Sequence, residues 1–165
     1  MVHNNWIVGL ENKIYRAKEL HQWMNDENQY YSSLTRKYLA YKNYNNSKKE
    51  EQMELLETAF NISKALNRIL ILPQFYKMKT ASTLLQMTDH IEPFDKKHRG
   101  VYREHSFLSH PLVPSKVKQS VESVELPTDD VTAQDLINKW SNINAHILEV
   151  DVKILQEKSL WNSVK

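Results

Sequence analysis

The chain has no cysteine among its 165 residues. That absence excludes disulfide bonds, thiolate metal sites and cysteine nucleophiles. Glycine is almost as scarce, since Gly9 and Gly100 are the only two, and the glycine-rich loop that supports many nucleotide sites is missing. Long apolar runs are also lacking, because no window approaches the roughly 18 apolar residues of a membrane helix. We therefore expect no membrane contact by this segment.

The charge of the chain is nearly balanced, with 22 basic residues against 20 acidic residues and a net charge of +2. The densest basic runs, 48–49 and 96–99, adjoin acidic residues and are typical of a solvated surface. No nucleic-acid partner is therefore predicted. The length fits one ordinary domain, or a small domain with an appendage, and is sufficient for a single core.

The apolar residues recur at helical spacing in some segments and form continuous runs in others. The clearest helix is 48–66, where Met53, Leu56 and Phe60 share one stripe. Residues 69–72 form an apolar run, which favours a strand covered on both faces in a parallel sheet. Further helices are predicted at 11–23, 80–87, 115–123, 135–140 and 152–161, and further strands at 1–8, 36–41 and 145–150, with 102–108 extended.

The order of these elements indicates the fold class. A helix, a short turn and a buried strand form half of a βαβ unit. The sequence therefore predicts an α/β fold, described as an incomplete Rossmann-like three-layer arrangement with parallel central strands and flanking helices.

The N-terminus carries the most distinctive polar cluster. His3, Asn4, Asn5 and Lys13 bring an imidazole, two amides and an ammonium group close to Gly9. Such a group resembles the closing edge of a nucleotide-phosphate site, although it stands where a domain should begin. The competing interpretation places His3 on the surface of a frayed terminus.

Two separated stretches resemble one known family. Residues 3–9, with Lys13 and Arg16, are similar to the end of the nucleotide-diphospho-sugar transferase domain of plant and algal arabinosyl- and xylosyltransferases. Residues 65–73, followed by 89–91 and 102–108, resemble the region after that domain. The resemblance divides the chain into a C-terminal tail of the transferase domain, 1–24, and an α/β accessory region, 25–165.

The resemblance implies a function for the complete protein. It would transfer a pentose or related sugar from a nucleotide-sugar donor to a glycan or glycoprotein acceptor, with Mn²⁺, in the Golgi lumen. His3 would bind the metal, and Asn4, Asn5, Gly9 and Lys13 would bind the donor. The family's Asp-x-Asp-type metal motif has no counterpart near the N-terminus, and the cysteines common in the family near 77–87 are absent. The chain would therefore be a C-terminal fragment, inactive as an isolated piece.

A second set of polar residues, at 89–90, 103–105 and His110, allows either a metal or acid–base site or a structural role. No His-Glu-x-x-His motif is present, and the structural role is favoured, with Arg103 and Glu104 as an ion pair. Arg68 is expected to cap helix carbonyls. The weaker alternative puts a ligand beyond the strand that follows Arg68, at Gln74, Tyr76 and Lys77.

The rival function is a non-catalytic α/β interaction module. Its partner surface would consist of exposed tyrosines, although the same residues also suit strand packing. These tyrosines are Tyr30, Tyr31, Tyr38, Tyr41 and Tyr44.

Overall fold

The computed structural model describes residues 10–23, 29–42, 48–75, 102–125 and 131–152. Within them, five strands form one sheet in the order β3-β2-β1-β5-β4, and every adjacent pair is parallel. This sheet confirms the predicted α/β class with parallel central strands. The strands are β1 (Tyr38–Tyr41), β2 (Ile69–Ile71), β3 (Tyr102–Arg103), β4 (Val121–Val124) and β5 (Ile147–Val150).

Helices cover both faces of the sheet. They are α1 (Leu10–Glu19), α2 (Lys49–Ala65), α3 (Ser115–Gln119) and α4 (Ala133–Ser141), with a 3₁₀ turn at Phe107–Ser109. Apolar residues of α2 and α4 share one core cluster with Leu39 and Leu148. Val117 of α3 and Phe107 pack in a second cluster. We call these two sides of the sheet the α2 face and the α3 face.

Local sequence determines where two of these helices begin. Glu50 and Glu51 lie in the first turn of α2, where the helix dipole favours negative charge. Thr132 caps α4 through a capping box with Asp135, because each side chain bonds the backbone N–H of the other residue. Within the described residues, no helix is long and apolar enough to cross a membrane.

Arg68 joins two segments at the amino-terminal edge of the sheet through hydrogen bonds. Its side chain is buried, and its guanidinium donates hydrogen bonds to the carbonyls of Tyr38, Ala145 and Ile143 at 3.3, 2.9 and 2.7 Å. The prediction that Arg68 caps helix carbonyls is therefore wrong. The bonded carbonyls belong to the start of β1 and to the loop before β5.

Two predicted elements differ from the structure. The helix predicted at 115–123 ends at Gln119, and β4 begins at Val121. Parallel pairing of β4 with β5 outweighs the helical tendency of this segment. The segment predicted as extended at 102–108 is a strand only at Tyr102 and Arg103, and a 3₁₀ turn follows at Phe107–Ser109. The elements predicted at 1–8 and 80–87 lie outside the described residues.

Tyr41 offers a first test of the packing. Its hydroxyl is buried on the α2 face and has no hydrogen-bond partner among the described residues. We expect Tyr41→Phe to raise the free energy of unfolding by about 1 kcal/mol, because the variant no longer buries an unsatisfied hydroxyl. Urea denaturation at pH 8 measures the change.

A matched tyrosine provides the control. The Tyr31 hydroxyl donates to Glu104 at 2.8 Å, so Tyr31→Phe should lower the free energy of unfolding at the same pH. Burial also raises the pKa of Tyr41 well above its usual value of 10.0. A raised pKa contributes stability that is complete below the unfolded-state value and is lost as the pH rises above it. The advantage of Tyr41→Phe should therefore grow above pH 10, and equal losses for both variants at pH 8 would contradict the assignment.

Candidate functional site

The predicted donor site falls mostly outside the described residues. His3, Asn4, Asn5 and Gly9 lie there, so their roles stay predictions. Lys13 is described and stands exposed on α1. The division of the chain at residue 24 also stays a prediction.

The acidic residue of the 103–105 segment lies in a buried polar cluster. Glu104 is 1% exposed, and its two carboxylate oxygens accept hydrogen bonds from the hydroxyls of Tyr30 and Tyr31, each at 2.8 Å. The Tyr30 ring contacts two cations, with Lys18 Nζ 3.7 Å and the Arg103 guanidinium 4.0 Å from its centroid. Burial, followed by the charge of Glu104, raises the pKa of Tyr30 well above its usual value. This cluster keeps the Tyr30 hydroxyl protonated, and its hydrogen bonds hold both tyrosines in place.

Histidines connect α1 to the segment after β3. His105 Nδ1 lies 2.9 Å from a carboxylate oxygen of Glu19, and His21 Nε2 lies 3.2 Å from the carbonyl of Ser106. Burial acts to raise the pKa of Glu19, but hydrogen bonds from His105 and Arg16 outweigh it and lower that pKa overall. These contacts support the structural role predicted for the segment.

His110 completes this contact. Its ring stacks on Tyr31, with the centroids 3.7 Å apart, and its Nδ1 accepts the backbone N–H of Leu112. The described parts of the chain contain no group of three His, Cys, Asp or Glu side chains that could hold a metal ion. His90 and Asp89 lie outside the described residues.

The predicted tyrosine surface is wrong for the four tyrosines that can be checked. Tyr30, Tyr31, Tyr38 and Tyr41 are all buried, with at most 8% exposure. Packing of these aromatic rings into the two sheet cores stabilises the protein more than leaving them exposed for a partner would. Tyr44 lies outside the described residues.

A cavity of about 140 Å³ opens at the carboxyl ends of β1, β5 and β4. Its polar lining comes from Lys42 just after β1, Ser123 on β4, and Glu149 and Asp151 at the end of β5. The chain leaves β1 toward α2 and β2, on the side of β1 away from β5. In open α/β sheets, ligands bind outside the carboxyl ends of the strands. The cavity is therefore the candidate functional site.

The strand register explains why these side chains meet. Ser123 pairs with Glu149, and Ala40 pairs with Glu149 from the other side. Paired residues of parallel strands project to the same face of the sheet. The Ser123 hydroxyl donates to Glu149 Oε2 at 2.9 Å. The cavity thus combines one hydroxyl, two carboxylates and one ammonium group at the carboxyl edge of the sheet, and Tyr41, Val124 and Val150 also line it.

None of these four polar residues was predicted from the sequence as a site residue. Ser123 fell within a predicted helix, and Glu149 fell within a predicted strand with no role assigned to it. Gln74 does lie at the carboxyl edge, exposed beyond β2 as the weaker alternative expected, but Tyr76 and Lys77 lie outside the described residues. A local signal was present in the alternation of Ile147, Glu149 and Asp151 on one side of the strand.

Comparisons with protein-family models, with curated proteins and with solved structures found no match to this chain.

Proposed function

We propose that this chain is part of a glycosyltransferase-like protein that transfers a pentose or related sugar from a nucleotide-sugar donor. In this proposal the α/β region contributes a ligand crevice at the carboxyl edge of its sheet. The observation that carries the proposal is the polar cavity beside Lys42, Ser123 and Glu149. A nucleotide sugar presents hydroxyl groups and a diphosphate, and this lining offers acceptors for the first and a cation for the second.

Two parts of the family resemblance lie side by side among the described residues. Residues 69–71 form β2 and residues 102–103 form β3, and the two strands pair with Leu70 beside Tyr102. Glu104 and Phe107 are buried just after β3, and Arg68 is buried at the opposite, amino-terminal edge of the sheet. The residues that carry the resemblance therefore lie on two neighbouring strands, and this placement supports the proposal through the fold alone.

The described residues do not form a Mn²⁺ site on their own. They bring no three His, Asp or Glu side chains together, whereas such an ion usually takes six oxygen or nitrogen ligands. His3 lies outside the described residues. The proposal for the carboxyl-edge cavity therefore assigns no step to the metal.

Calorimetric titration of the full chain with UDP-xylose and UDP-arabinose tests the proposed function. We expect measurable binding of both donors, weakened about three- to tenfold in Lys42→Ala because the diphosphate loses a partly solvated cation. Lys139→Ala, which removes an exposed lysine at the end of α4, should leave binding unchanged. His3→Ala with and without Mn²⁺ tests the predicted metal ligand in the same assay.

The rival function gives a different result. A non-catalytic interaction module would give no heat with either donor, with or without Mn²⁺. Binding that Lys42→Ala and Lys139→Ala weaken equally would also count against the carboxyl-edge crevice, since it would reflect only the general charge of the protein.

A further inference from the structure

On the α3 side of the cavity, one row of side chains is filled and the next row is not. In the first row, Tyr38 pairs with Ile147, and both are at most 1% exposed beneath the Phe107 turn. In the next row, Ala40 lies beside Glu149. Alanine carries only a methyl group, so the space that a larger side chain would fill stays open above this row.

We propose that this space is a sugar-ring subsite in which the carboxylate of Glu149 accepts hydrogen bonds from ring hydroxyls. The inference rests on the proposed function and assigns the pentose of the donor to the cavity. Four observations support this subsite. They are the shape of the row, the free acceptor positions of Glu149, the balance of charge and the size of the cavity.

Glu149 has acceptor capacity left. Its Oε2 accepts from Ser123, and the residues described in the structure provide no donor for Oε1. An ionised carboxylate offers about four lone-pair positions. The Ser123 hydroxyl fixes the carboxylate at one oxygen, so the other can receive a hydroxyl without first losing a bond to the protein. A carboxylate at the carboxyl end of a strand binds ribose hydroxyls in the same way in doubly wound nucleotide-binding sheets.

The charge around the cavity favours a neutral polyol over an anion or a metal ion. Among the described lining residues, Glu149 and Asp151 carry carboxylates and Lys42 carries an ammonium group. A phosphate inside the cavity would be repelled by the Glu149 carboxylate, and a divalent cation would meet the ammonium group and too few ligands among these residues. Hydroxyl groups both donate and accept, so they match carboxylates and an ammonium group together.

The size of the cavity limits its occupant. Its volume is about 140 Å³, well below the roughly 300–1,000 Å³ of pockets that enclose a drug-sized ligand. A whole nucleotide sugar would not fit, whereas a single small ring would. The diphosphate would then lie outside the cavity. It would lie beside Lys42, because the positive charge is at that open end of the row.

Backbone amide NMR of the full chain tests the subsite with methyl β-D-xylopyranoside as the probe. We expect shifts confined to 40–42, 123–124 and 149–151, with a dissociation constant in the millimolar range typical of roughly ten-atom ligands without strong charge contacts. Glu149→Gln should weaken this binding at least fivefold, and Ala40→Leu should abolish it by filling the space.

Glu122→Gln is the matched control. It removes the same charge from the neighbouring strand, but Glu122 pairs with Leu148 and so projects to the α2 face. Its binding should equal that of the unchanged chain. Circular dichroism and thermal unfolding of each variant identify any loss of binding that comes from loss of the fold.

Several outcomes would overturn the subsite. They are equal binding by Glu149→Gln and Glu122→Gln, shifts of the same amides by inorganic phosphate alone, and broadening of those amides by MnCl₂ that Glu149→Gln removes. If UDP-xylose binds but Ala40→Leu and Glu149→Gln do not weaken it, the subsite fails and the proposed function stands. If the xyloside binds in the cavity and UDP-xylose binds no better, the subsite stands and the proposed function fails.

Discussion

Glu104→Ala will lower the free energy of unfolding by about 3–5 kcal/mol, because it leaves two buried phenol donors unsatisfied and opens a void. Both carboxylate oxygens of Glu104 are in use, one by Tyr30 and one by Tyr31. The residue is only 1% exposed, so water cannot easily replace the lost acceptors. A loss of this size is a large part of the 5–15 kcal/mol that stabilises a typical domain. Urea denaturation at low temperature measures it.

A double-mutant cycle separates the hydrogen bonds from the void. Tyr31→Phe alone should cost about 1–2 kcal/mol, whereas Tyr31→Phe added to Glu104→Ala should cost little or nothing, since its donor already lacks a partner. Glu104→Gln keeps one carbonyl acceptor and should fall between the unchanged chain and Glu104→Ala. Simple additivity of Tyr31→Phe and Glu104→Ala would show that the bonds at 2.8 Å contribute little to stability.

The same cluster shows what the sequence could and could not predict. The resemblance drew attention to 102–108, and local pattern allowed either a structural or a catalytic role for Glu104. The structural role depends on Tyr30 and Tyr31, which lie more than 70 positions earlier in the chain. Nothing in the local sequence joins these segments, because their meeting depends on the strand order, which places β3 two positions from β1, the strand that follows the two tyrosines.

Helix α2 and strand β2 were predictable for the opposite reason. The stripe of Leu56 and Phe60 and the apolar run of 69–72 are local patterns, and each element is packed as its pattern requires. Strand β4 was missed because its residues gain their pairing only from β5, about 25 positions later. Edge strands receive less from burial, and local helical tendency is then a poor guide.

The candidate site was hard to predict because it depends on contacts between residues far apart in the sequence. Glu149 lies in a predicted strand, but its role as an acceptor depends on its two neighbours in the sheet. These are Ser123 on β4 and Ala40 on β1. The small side chain of Ala40 contributes to the cavity as much as the polar residues do. The sequence shows which chemical group each residue has. A cavity between residues becomes visible only when the strands are placed side by side in the fold.

Arg68→Met will lower the free energy of unfolding by about 2–3 kcal/mol, the second of the large effects. Methionine keeps much of the apolar stem but removes the guanidinium donors to the carbonyls of Tyr38 and Ala145. The carbonyl of Ile143 retains Lys37, whose ammonium group donates to it at 3.1 Å, so the loss is smaller than three full hydrogen bonds. Burial lowers the pKa of Arg68, but the guanidinium remains charged at neutral pH.

The sites at which hydrogen exchange quickens distinguish hydrogen bonding by Arg68 from simple packing of its side chain. Arg68 joins the start of β1 to the loop before β5, so hydrogen exchange in Arg68→Met should quicken first at Ile147 and Tyr38, which lie at the amino-terminal edge. Arg36→Met is the matched control, because Arg36 makes an exposed bond of 3.4 Å to the carbonyl of Gln29. Its cost should stay within about 0.5 kcal/mol. Equal losses in the two variants, or exchange that quickens uniformly across the sheet, would mean that Arg68 fills space and does not hold the two strands together.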